Sequence, residues 1–267
     1  LTKEFNANNY DLYKGFLSLD KEVENKINDF PFFVLLDEAN LSPMEYYWGD
    51  FMKICDYLNT EECKLHLYEN NYIKISGNLK FLATVNLDHT TEVLSPRLID
   101  RSWIIKLPDL SMGIDDDLEP LTDDDINFPL ICNNVFDMIY AEGNNNEYKF
   151  AKFKPSVKNK TEKISLIFKD AGISFSPRII SMIKKYCIAS DRLKLAENNN
   201  NELVALDYAV AQKILPMING QGEKFEKLVS DLLNIMPESQ MPVCNNILKD
   251  IQKKAEKNMQ YYQFFAR

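Results

Sequence analysis

The sequence predicts an α/β core built on a parallel sheet, followed by an all-helical domain. Two nearly uninterrupted apolar runs, FFVLLD (32–37) and KFLATVN (80–86), have the composition of strands covered on both faces. A helical pattern lies between them, and strand–helix–strand alternation is the signature of parallel pairing. Beyond Pro108 no further strand pattern appears, and from about Thr122 the chain reads as helix broken at the Asn-rich stretches 144–146 and 198–201. The division falls near residues 110–122, giving an α/β part over 1–110 and a helical part over 111–267.

Each element has a local cause. After the first run, Ser42 is placed to cap a helix, Pro43 suits a first turn, and Glu45 completes a capping box. Met44, Tyr47, Trp48, Phe51, Met52, Cys55 and Leu58 then recur at three- and four-residue steps, which makes one broad apolar face. KLHLYENNYIKIS (64–76) reads as a β-hairpin turning at Glu69-Asn70-Asn71, and SWIIKL (102–107) as a third strand. Between Asp115 and Asp125 stand seven acidic residues, the pattern of a solvated linker and helix start.

Bulk properties exclude several classes. An apolar content of 45% is ample for a core, and no apolar run is long enough to span a bilayer. A net charge of −9 argues against a surface that grips nucleic acid throughout, although a local basic loop remains compatible with it. The five cysteines lack C-x-x-C spacing, which points to a reduced, cytoplasmic protein without disulfide framework or zinc. With only His66 and His89, a Ser-His or His-metal centre is disfavoured.

Chemistry concentrates where the apolar runs end. The first delivers Asp37 and Glu38, and the second delivers Asn86. In open α/β sheets ligands collect at the carboxyl ends of strands. An Asp there can hold Mg²⁺, the next carboxylate can orient a water, and an amide can polarise it or touch a phosphate. Downstream, LSPRLIDR (94–101) and FSPRII (175–180) each start a helix with Ser-Pro and project arginines from it: Arg97 and Arg101 in the first, Arg178 in the second. Helix starts favour anions, and arginine adds a bidentate phosphate donor. The bland alternatives are surface ion pairs for Arg97 and Arg101, and a bond to an acidic neighbour for Arg178. Trp48 and Phe51 read as core. NGQGEK (219–224) is rejected as a phosphate loop, because no Ser or Thr follows its Lys and no strand is expected before it.

The ordered set DEAN, ATVN, LIDR and SPR resembles the AAA+ NTPases, in particular the McrB-like and MoxR (dynein-related) branch. LLDEANLSPMEYYWGDFM is similar to that group's Walker B segment, FLATVN to sensor 1, RLIDRSWIIKL to the arginine-finger segment, and ISFSPRII to sensor 2. ALDYAVAQKILPMINGQG (205–222) resembles the late lid. The resemblance implies an incomplete AAA+ core (αβα) and a helical lid, with Mg²⁺ and ATP or GTP as cofactors. It gives Asp37 to the metal, Glu38 to the attacking water, and Asn86 to sensor 1. Arg101 becomes the finger reaching a neighbouring subunit, Arg97 a second one, and Arg178 the sensor of nucleotide state. The hairpin at 64–76 takes the place of an insert facing a ring's pore. The partners implied are further copies in a hexameric or other ring, DNA and a nuclease subunit, with no membrane.

No G-x-x-x-x-G-K-[ST] loop occurs in the 267 residues. The expectation is a chain that starts after the phosphate loop, as a fragment, one half of a split protein, or a degenerate member. The resulting reading is the C-terminal part of a Mg²⁺-dependent NTPase driving DNA restriction or translocation, inactive by itself. The alternatives are a non-hydrolysing scaffold subunit giving Arg101 in trans, and a MoxR-like protein-remodelling ATPase.

Overall fold

The computed structural model describes residues 32–54, 64–66, 72–74, 79–87, 91–107, 154–192 and 201–265. Its first elements are β1 (Phe32–Leu36), α1 (Met44–Ile54), β2 (Lys64–His66), β3 (Tyr72–Lys74), β4 (Leu79–Ala83) and the single-turn helix α2 (Pro96–Ile99). The helical part contains α3 (Pro155–Asp170), α4 (Pro177–Arg192), α5 (Val204–Lys213), a 3-10 turn (Leu215–Met217), β5 (Asn219–Gln221), α6 (Glu223–Ile235), α7 (Pro242–Lys257) and β6 (Tyr261–Gln263).

The two apolar runs are β1 and β4, hydrogen-bonded in parallel with Leu36 opposite Ala83. Their register brings both carboxyl ends to one edge, so the residues that follow each strand emerge side by side. Trp48 and Met52 of α1 are buried against this pair, and the Trp48 ring meets Phe81 edge-on at 4.9 Å. β2 and β3 pair antiparallel at the expected hairpin, whose turn lies outside the described residues. So do the acidic run and the Asn-rich breaks at 144–146 and 198–200. The capping box is not closed through Glu45 Oε1, which is buried without a hydrogen-bond partner.

The expected strand over 102–107 is not one. Residues 103–107 have no regular structure, and the Ile104 N–H donates to the Gln212 carbonyl at 3.0 Å. The segment is drawn onto α5 instead of the sheet. Trp103 and Ile104 accordingly pack against the core of the helical part.

That core is assembled around α5, which is buried on nearly every side, with Ile164, Phe168, Ile183, Leu206, Leu232 and Leu248 at zero exposure. A side chain of that kind contributes about 1.5–3 kcal/mol when fully removed from water. Helix ends follow ordinary chemistry. Gly172, at φ +77°, closes α3 as its N–H donates to Lys169 O, and Ile173 N–H donates to Phe168 O. Buried Asp207 accepts from the Val243 and Cys244 N–H groups at 2.9 and 2.8 Å, satisfying the start of α7 from α5. Ile104, Met217 and Phe265 pack against both this core and the smaller one around Trp48 and Leu98.

What precedes NGQGEK is the 3-10 turn, not a strand, but its own first three residues form β5, paired antiparallel with β6. The strand was not legible because Asn-Gly-Gln has no apolar alternation. The stretch is still no phosphate cradle. The Phe225 ring fills the space beside Gly220, where an added Cβ would lie 2.1 Å from it.

Candidate functional site

Asp37, Glu38 and Asn86 come together at the carboxyl edge of the β1–β4 pair. The two chains remain joined past the strands, since Thr84 N–H donates to Leu36 O and Ala39 N–H to Thr84 O, both at 2.9 Å. Within that frame the Thr84 hydroxyl donates to Asp37 Oδ1 at 2.6 Å and accepts from the Glu38 N–H at 2.8 Å. The Asn86 amide donates from Nδ2 to Glu38 Oε1 at 3.2 Å. One carboxylate is therefore anchored by a hydroxyl and its neighbour by an amide, while all four residues stay exposed to solvent.

Glu38 has φ +47°, in the left-handed region that side chains with a Cβ enter only at a cost. The penalty is about 1–2 kcal/mol, and such outliers concentrate at functional sites. What holds Glu38 there is the bonding on either side of it. The Tyr47 hydroxyl of α1 donates to the Ala39 carbonyl. Asn40, only 1% exposed, donates to the carbonyls of Asn86 and Glu92 at 2.8 and 3.0 Å and accepts from Asn86 N–H at 3.1 Å. The Thr91 hydroxyl also donates to Asn86 O, at 2.8 Å. Asn40 thus ties the Asp-Glu turn to the Asn86 backbone, setting where the Asn86 amide can reach.

Carboxylate oxygens are hard donors, of the kind that Mg²⁺, Ca²⁺ and Mn²⁺ accept. Mg²⁺ takes hard oxygen ligands, keeps several waters, and is commonly held by one or two carboxylates plus substrate phosphates. Asp37 Oδ1 is engaged by Thr84, which leaves its second oxygen to face such an ion or one of its waters. Among the described residues no group of three or more His, Cys, Asp or Glu side chains forms a self-sufficient cage. Glu38, with Asn86 on one oxygen, has its other oxygen available to orient a water.

The arginines form a second group, at the junction with the helical part. Ser95 caps α2 through the Leu98 N–H at 3.2 Å, as the Ser-Pro signal implied. Arg97 on α2 is exposed, and Arg101 just beyond it donates from Nη1 to the Arg97 carbonyl at 3.1 Å. Ser176 caps α4 through Ile179 N–H at 3.3 Å. Arg178 donates from Nη1 to Asp100 Oδ2 at 2.8 Å, and the Ser176 hydroxyl donates to Asp100 Oδ1 at 3.0 Å. Arg178 therefore meets an acidic neighbour, one that belongs to the arginine-bearing segment instead of the helical domain.

Sequence reasoning missed Thr84, Asn40, Asp100 and Lys213. The first two stand inside the ATVN and DEAN stretches, and their polar type amid apolar neighbours was the available signal. Lys213 gave none, because a lysine near a helix end reads as surface. It is 1% exposed.

One family profile, described as a domain of unknown function (DUF8727), matches residues 137–261. The match covers the helical part with Arg178 and Lys213, and it excludes Asp37, Glu38, Asn86, Arg97 and Arg101. Among curated proteins and among solved structures, nothing matches. Among the described residues, no helix is long and apolar enough to cross a membrane.

Proposed function

We propose that this chain carries the Walker B to sensor 2 portion of a Mg²⁺-dependent AAA+ NTPase of McrB-like type, hydrolysing ATP or GTP in a cytoplasmic ring. The observation that supports it most is the Asn86–Glu38 bond of 3.2 Å beside Asp37, at the shared carboxyl edge of two parallel strands. On this reading Glu38 orients the attacking water, and Asn86 holds that carboxylate in place. Asp37, steadied by Thr84, holds the metal that would supply charge neutralisation to a triphosphate. Arg101, with Arg97 near it, serves a neighbouring subunit's nucleotide, and Arg178 on Asp100 links the lid to that segment. On this reading the phosphate cradle is not among these residues, and DNA with a nuclease subunit are the partners.

A second reading draws on the absence of a G-x-x-x-x-G-K-[ST] sequence. In it the chain is a non-hydrolysing scaffold that lends Arg101 to an active neighbour. The deciding experiment is an assay of the gene's full-length product for ATP and GTP hydrolysis, with and without Mg²⁺ and DNA. Mg²⁺-dependent turnover stimulated by DNA is expected. Absence of turnover with either nucleotide would leave the scaffold and remove the enzyme.

A further inference from the structure

We propose that Lys213 is a positioning residue for Arg101, a role that rests on the arginine-finger reading above. Lys213 ends α5 inside the protein, and its ammonium donates to three carbonyls of one short segment: Ile99 O at 3.1 Å, Asp100 O at 2.8 Å and Ser102 O at 2.7 Å. These carbonyls flank Arg101 on both sides. They belong to the end of α2, where Arg101 and Ser102 N–H groups turn back to Leu98 O at 3.0 Å.

An ammonium is a compact point charge with three tetrahedral donors. Three converging carbonyls match it, and together they fix the backbone from which Arg101 leaves. The clamp is reinforced around it. The neighbouring Gln212 carbonyl accepts from Ile104 N–H, Arg178 and Ser176 hold the Asp100 side chain, and Trp103 packs on Tyr186 with ring centroids 5.0 Å apart. The Lys213 Nζ also lies 5.9 Å from the Trp103 ring centroid. Every one of these contacts joins the helical part to residues 99–104. Arg101 is thereby aimed by the helical part, through Lys213, although it follows the α/β elements in sequence.

The test is a double-mutant cycle in the NTP-hydrolysing assembly that contains this chain. Arg101→Ala should lower kcat by about 10³–10⁵, the usual effect of losing an arginine finger. Lys213→Met should lower kcat by about a hundredfold, the scale of an ångström's misplacement, with KM for the nucleotide unchanged. Combined with Arg101→Ala it should add nothing, because it acts only through that arginine. Should Lys213→Met fail to fold, Lys213→Gln, which keeps two donors, is read through the same cycle. Additive losses, or a raised KM with kcat intact, would overturn the positioning role while leaving the finger in place. An Arg101→Ala assembly that turns over normally would overturn both.

Discussion

Thr84 joins two neighbouring acidic residues, donating to the Asp37 carboxylate while accepting from the Glu38 backbone. Thr84→Val keeps the branched shape that a strand end favours and removes only the hydroxyl. Both released groups are open to water, so thermal unfolding should shift little, by under about 1 kcal/mol. If the proposed NTPase reading holds, the Mg²⁺ concentration giving half-maximal turnover should rise, because Asp37 loses the bond that orients it. An unchanged Mg²⁺ titration would mean Asp37 needs no such support. Cys244 provides a second residue-level prediction. Burial, together with the nearby Asp207 carboxylate, pushes its thiol well above the usual range, and its Sγ–H is engaged with Asp207 O at 3.1 Å. Since the thiolate is the reactive form, the peptide containing Cys244 should escape alkylation at pH 8 until denaturant is added. Peptide mapping after brief labelling checks this.

Helices in this protein are fastened by partners far away in sequence. Asp207 caps α7 from α5, so Asp207→Ala should destabilise the helical part by about 2 kcal/mol, a cap loss with two donors left inside. Urea titration of the purified protein measures it, and a shift below a few tenths would contradict the cap's importance. Such bonds explain what the sequence could and could not disclose. β1, α1 and β4 were legible because apolar runs and three- and four-residue spacing mark strand and helix, but Phe33, Val34, Leu35 and Leu82 are exposed, so the pair is not covered on both faces as the runs implied. Ser95 and Ser176 were legible because a cap acts within its own turn. The strand expected at 102–107 was not found because Trp103 and Ile104 pack on the helical part instead of a sheet, while Ile105 stays exposed. Its partner is α5, reached through the Lys213 bond to Ser102 O across 111 residues, and no local pattern encodes that choice. β5 escaped for the opposite reason, since a three-residue Asn-Gly-Gln strand buries too little to leave a signature.

Across the whole molecule, residues 99–107 are the seam between the parallel pair and the helices. Lys106 closes its far end on Asp250 of α7 at 2.8 Å. Burial alone would lift the Asp250 carboxyl, but Lys106 and Lys254 hold it below the ordinary Asp range. A depressed acid stabilises the fold above its unfolded value, about pH 4, and that contribution disappears as pH falls through the folded value. Asp250→Asn should therefore melt slightly lower than wild type at pH 7, by under about 1 kcal/mol for so exposed a pair, and the gap should close as pH is lowered from about 4 to about 2. Parallel melting curves across that range would remove Asp250 from the acid response. The site was legible only in its parts. Asp37, Glu38 and Asn86 could be named from strand ends, whereas the Thr84 and Asn40 bonds that join them depend on the register of β1 against β4. Hydrolysis by the proposed NTPase assembly carrying Glu38→Gln tests the central claim most directly. The account predicts nucleotide binding at the wild-type Kd with turnover reduced by at least about a hundredfold, within the range for losing a positioned general base. Turnover equal to wild type would contradict it.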